Sequence, residues 1–275
     1  MSTFLSNPAV HTALLVGLLV AAVSGPVGVF TILRGQSFAG HSLADIGTAG
    51  GAASYLIGTN VLVGFVSVNV VAAALMESAG ANRARNRDVA TGVVLGAALG
   101  LSALFLHLET ESSTTGATID VLFGSIFTLG STTVPFVVGA AAIAIGLLVW
   151  IHRPLMLASV APDLAGARGV PVGLVGAGYL VALAMAVSLS AVAIGAILST
   201  ALLIGPAAIA IQLTRRPLAA VVASGAIGVA VTWGGIALAW NSYYWSSSHQ
   251  QWPVSFFIVS LVLVAFIGTS FGSRR

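Results

Sequence analysis

Apolar stretches long enough to cross a membrane follow one another along this sequence with barely a charge between them, and that pattern dictates the architecture. A bilayer core about 30 Å thick needs about 20 helical residues to span it. Nine stretches meet the requirement: 9–33, 38–58, 60–77, 90–108, 133–151, 171–189, 191–213, 218–240 and 253–271. Between the fourth and fifth, the segment 120–130 (DVLFGSIFTLG) is apolar but too short to cross, and reads as an interfacial or re-entrant helix. Composition closes off the alternative. Only 6% of the 275 residues are charged and 58% are hydrophobic, whereas a soluble domain carries about 25% charge to meet water. The expected fold is an all-α polytopic membrane protein, a single transmembrane domain over 1–275 with about nine transmembrane helices and one short outer helix.

The few charges also set direction. All ten basic residues are Arg. Arg34 ends the first stretch, Arg83, Arg85 and Arg87 lie between the third and fourth, Arg153 and Arg168 follow the fifth, Arg215 and Arg216 the seventh, and Arg274 and Arg275 close the chain. With nine crossings all of them fall on one side, while an even count would divide them. Because Arg gathers on cytoplasmic loops, the expectation is a plasma-membrane protein with its N-terminus outside and its C-terminus in the cytoplasm. No positive segment precedes the first apolar run, so no cleaved signal peptide is expected. Without any Lys there is no Walker A phosphate loop, and without Cys there is neither a disulfide nor a thiolate metal ligand. The formal charge of +3 reports topology rather than nucleic-acid binding.

Glycine supplies 32 residues. Gly92, Gly96 and Gly100 share one face of the fourth stretch, and Gly173, Gly176 and Gly178 open the sixth; small faces of this kind are expected to let helices pack closely.

One acidic residue falls well inside a stretch: Asp45. Counted from Arg34 at the cytoplasmic edge, eleven helical residues rise about 16 Å, near mid-bilayer. A carboxylate there costs at least about 2.5–3.5 kcal/mol, so it should face protein or a water-filled path. His41, four residues earlier, shares its helix face. Imidazole and carboxylate together suit zinc or manganese; a neutralising His–Asp hydrogen bond and a proton relay are the other readings of the same pair. His107, Glu109 and Glu111, at the outer end of the fourth stretch, and His249 with Gln250 and Gln251, read as solvated. Trp233, Trp240, Tyr243, Tyr244, Trp245 and Trp252 read as an interfacial aromatic belt.

Four blocks, in order, resemble the metal-ion permeases of ATP-binding-cassette importers for zinc, manganese and iron. They are SGPVGVFTILRGQSFAGHSLADIGTAGGAAS at 24–54, IDVLFGSIFTLG at 119–130, LASVAPDLAGARGVPV at 157–172 and GAILSTALLIGPAAIAIQL at 195–213. The resemblance implies a type II-like importer bundle that is not itself an enzyme and holds no permanent cofactor, its cargo being a divalent metal ion, zinc or manganese. It implies a second copy of the permease, a separate cytoplasmic ATPase chain and an extracytoplasmic metal-binding protein as partners, with no nucleic acid. That family commonly places Asp and then His four residues later as its metal pair; here the equivalent positions read His41 and Asp45, the reverse order. The resemblance also implies a cytoplasmic coupling loop at 152–170, with Pro162, Asp163, Leu164 and Ala165 at the ATPase contact. The competing functions are an ion-coupled secondary transporter using Asp45 as coupling residue and a permease for a metal chelate. An intramembrane enzyme finds no Ser–His or His-Glu-x-x-His arrangement to support it.

Overall fold

The computed structural model describes residues 7–80, 84–112, 117–124, 126–130, 132–245 and 251–272. Arg83, His249, Gln250, Arg274 and Arg275 lie outside the described residues, as do the side chains of Arg85, Arg87 and Glu111. Eleven helices are described: α1 Pro8–Leu33, α2 Ser37–Ile57, α3 Val61–Gly80, α4 Ala84–Ser112, α5 Ala117–Phe123, α6 Val134–Val160, α7 Pro162–Ala167, α8 Val172–Ile194, α9 Ala196–Leu213, α10 Pro217–Trp245 and α11 Val254–Gly272. The all-α bundle expected from the apolar runs is what forms.

Eight of these helices are long and apolar enough to cross a membrane: all except α2 and the short α5 and α7. The predicted ninth stretch, 38–58, does form a helix, but His41, Asp45 and many Gly, Ser and Thr residues dilute its hydropathy. It survives by packing against protein, chiefly α3 and α4, with α8 and α9 behind.

Side-chain contacts sort the helix ends into two groups. At one end Val29 of α1 clusters with Ala207 and Ala210 of α9 and Ala220 of α10, and His152 and Arg153 of α6 line a common cavity with Pro217. At the other end, Tyr55 of α2 bonds to Asp120 of α5, and Asn60 to Thr133 before α6. Phe127 meets Trp240 of α10 at this same end. Arg34, Arg153, Arg168, Arg215 and Arg216 thus gather at the first, arginine end, and Trp240, Trp245 and Trp252 at the second, aromatic end.

The connections are tight. Asn7 caps α1 by accepting from the Ala9 N–H (2.9 Å) with Pro8 at the first helical position. Gly58 closes α2 in the left-handed conformation, and Asn60 then caps α3 by accepting from the Leu62 N–H (3.0 Å). The break expected near residue 190 falls instead at Gly195 (φ 89°), a backbone conformation that disfavours a side chain; there the chain turns from α8 into α9 against Phe123.

Inside the bundle, close backbone approach and buried hydrogen bonds replace the hydrophobic drive that lipid cannot supply. Gly50 of α2 lies on Gly64 of α3 so closely that a Cβ on either would strike the other's backbone. Ser24 and Ser190 bond across α1 and α8 (2.7 Å), and the Asn69 amide on α3 donates to Ser188 on α8 (2.9 Å), all four fully buried. The Gly92–Gly96–Gly100 stripe does not take part within the chain: among the described residues, and apart from α4's own backbone, no heavy atom lies within 4 Å of where their Cβ atoms would stand. The packing expected of it is provided by another face of α4, on which Thr91, Ala98, Ser102 and Glu109 are buried.

Candidate metal site

α2 starts afresh at Ser37, after the chain bends through Arg34, Gly35 and Gln36. Its first turns bury Ala39, Gly40, Ser42, Leu43 and Ala44 against the bundle, while His41 and Asp45 come up on the opposite face. The His41 Nε2 stands 3.7 Å from the Asp45 Oδ2, and the two side chains are 51% and 24% exposed. Two ligands at about 2.1 Å from one tetrahedral zinc lie about 3.4 Å apart. The pair as it stands is therefore close to the spacing that one metal ion would bridge, and too long for a direct hydrogen bond.

Two features fix the pair from behind. The His41 Nδ1 is 3.1 Å from the Thr200 Oγ1 of α9. The Thr48 hydroxyl, one turn on, donates to the Asp45 backbone carbonyl. Among the described residues no three His, Cys, Asp or Glu side chains come together.

The arginine end holds a second polar group. Arg34 lies over the Tyr179 ring, its Cζ 5.1 Å from the centroid, and the Tyr179 hydroxyl donates to Thr31 (2.8 Å). Arg34 and Glu77 both border Gly176. Arg34, at the arginine end, is thus held over α8.

At the aromatic end Tyr55 donates to Asp120 (3.2 Å) at the border of a cavity of about 460 Å³ lined by Asn60, Thr128, Thr133 and Val192. Burial raises the Asp120 pKa, and the Tyr55 hydrogen bond offsets part of that. Glu109, expected to be solvated, is 4% exposed, because α4 continues past it to Ser112 and turns it toward the bundle. Of the six residues expected to form an aromatic belt, Trp233, Tyr243, Tyr244, Trp245 and Trp252 are exposed, while Trp240 is half-buried against Phe127.

α6 runs through Pro154 to Val160, so the segment expected to begin a loop at 152 is helical. Pro162, Asp163 and Leu164 of α7 are exposed, whereas Ala165 is fully buried and anchors the helix to the bundle. Thr200 escaped the sequence reading. It and Ser199 are the hydroxyl residues of the otherwise apolar run 195–211, and that was the signal available.

Residues 6–270 match the model of the ABC 3 transport family. The chain belongs to that family. It is 29% identical over 213 residues to the manganese transport system membrane protein MntC of Halalkalibacterium halodurans, covering 77% of this chain and 72% of the relative. It is 24% identical over 205 residues to the high-affinity zinc uptake system membrane protein ZnuB of Haemophilus influenzae, covering 74% and 78%. Among solved structures it superposes on a chain of PsaBC from Streptococcus pneumoniae, in complex with Fab, with a TM-score of 0.82. That match is 23% identical and covers 98% of this chain and 94% of the other, so the two share a fold.

Proposed function

We propose that this ABC 3 family chain is the membrane-spanning subunit of an ATP-driven importer, and that its cargo is a divalent transition metal, manganese or zinc. The observation that carries the reading is the His41–Asp45 pair. A carboxylate and an imidazole nitrogen stand 3.7 Å apart on a helix packed within the bundle, with His41 half exposed. Facing lipid, that carboxylate would cost at least about 2.5–3.5 kcal/mol. An exposed face of this kind is accounted for by a second copy of the chain or by a water-filled path, and two copies meeting there supply four ligands of the nitrogen–oxygen type that zinc and manganese accept. The manganese and zinc transport named for the relatives supports the same cargo.

In this reading the arginine end is cytoplasmic, the N-terminus outside and the C-terminus inside. ATP is hydrolysed on a separate chain, since no Walker A loop is present. Metal arrives from an extracytoplasmic binding protein. The exposed Pro162, Asp163 and Leu164 meet the ATPase, and Ala165 ties their movement to the bundle. The pair holds the ion without enclosing it, as a site that must empty requires. The test is uptake of radioactive manganese and zinc into proteoliposomes containing the permease with its ATPase. Asp45→Ala should reduce uptake to background while the complex still assembles; uptake equal to wild type would remove the site.

A further inference from the structure

His41 has two ring nitrogens, and the fold gives them different partners. Nε2 faces Asp45 at 3.7 Å and Nδ1 faces the Thr200 hydroxyl at 3.1 Å, across from α2 to α9. We propose that Thr200 is a positioning residue for metal binding: its hydroxyl holds the His41 ring so that Nε2 points at the metal position. This rests on the reading of His41 and Asp45 as metal ligands.

The argument follows from what a metal does to the pair. When an ion binds between Nε2 and Oδ2, both of those atoms are spent on it, and the remaining anchor for the ring is Nδ1 on Thr200. A ring half exposed on its helix face would otherwise lose rotamer freedom only at the moment of binding, at a direct cost in affinity. Nε2 must carry its lone pair to bind metal, so the imidazole proton then sits on Nδ1 and donates to the Thr200 oxygen. In the metal-free ring the proton on Nε2 instead points toward Asp45, and the Thr200 hydroxyl turns to donate to Nδ1; a hydroxyl serves as donor or acceptor. Between the two states the ring loses one proton to water and gains one, so its charge is unchanged.

This distinguishes Thr200 from the carboxylate or carbonyl that usually backs a metal-binding histidine. Those accept only, favour the metal-ready tautomer and raise ligand basicity. A hydroxyl supports both tautomers, orienting the ring without strengthening its grip. That suits a residue whose ligand must leave. Because the bond joins two helices, any movement of α9 away from α2 frees the ring and weakens the site.

The test is titration of the full-length permease in lipid nanodiscs with Mn(II) and with Zn(II), alongside thermal unfolding. Thr200→Val keeps the shape and removes the hydroxyl; it should weaken binding 10–100-fold, the usual range for such partners, with no change in Tm. Thr200→Ser keeps the hydroxyl and should bind as wild type. In transport the Val variant should raise KM and leave kcat little altered. Wild-type affinity in Thr200→Val, or equal weakening in Thr200→Ser, overturns the proposal while leaving the metal site standing. Wild-type affinity in His41→Ala would remove the metal reading itself and the proposal with it.

Discussion

Two carboxylates stand beside α2, Asp45 within the helix and Asp120 where it ends, and they differ in how they are partnered. Asp45 is on the helix, partly exposed, with the His41 ring nitrogen 3.7 Å off, beyond hydrogen-bond reach. Asp120, on α5, accepts from the Tyr55 hydroxyl at 3.2 Å where α2 ends. The first is held at a distance that leaves room for an ion; the second is tied to a neutral donor and fastens α5 to the bundle. Proximity to a polar ring therefore does not by itself make a carboxylate a binding site. What separates the two is whether the partner has already closed the gap.

The largest expected effect tests that separation directly. Asp45→Asn should lower metal uptake by about 100-fold or more, as the loss of a charged group inside the bundle, whereas Asp120→Asn, away from the proposed pair, should leave uptake within about two-fold. Equal losses in a radioactive-metal assay would erase the distinction. Next comes the stretch of α2 that connects the two. Gly50→Ala places a methyl group into the Gly64 backbone and should destabilise by about 1–3 kcal/mol or more, read as a lower Tm in detergent; an unchanged Tm would mean the helices part freely. Tyr55→Phe removes one hydrogen bond to Asp120 and should cost about 0.5–1.5 kcal/mol, seen in the same assay.

The smallest effect is a pH dependence. Burial raises the Asp120 pKa above its ordinary 3.8, so the folded protein holds that proton more tightly than the unfolded chain. The associated stability is present in full below the ordinary value and is lost as pH rises through the raised one. Asp120→Asn has no such loss, so its Tm relative to wild type should improve between pH 4 and pH 7. A constant difference across that range would show that the burial is of no consequence.

Much of this was visible in the residues. Ten Arg on alternate loops led to an expectation of nine crossings; among the described residues eight helices are long and apolar enough to cross, and the described Arg gather at one end of the bundle. That His41 and Asp45 stand side by side could be read from their spacing, because i and i+4 share a face in any α-helix. Thr200 was not visible: it lies 159 residues from His41, and no local period announces a contact between two helices. Gly92, Gly96 and Gly100 misled for a related reason, since a small-residue stripe says that a neighbour could come close but not that one does. Glu109 misled because the end of an apolar run is not the end of its helix. The turn at Gly195 was displaced by five residues from the expected break, as two adjoining apolar runs give no hydropathic boundary between them.

The meeting of Gly50 with Gly64 carries a mechanical consequence. Two helices whose main chains touch, joined by a three-residue turn, have little room to slide or rotate against each other where they meet. The span between the His41–Asp45 turn and the Tyr55 end is thereby kept at a fixed distance from α3, and a change in α2–α3 spacing between two transport states would contradict this.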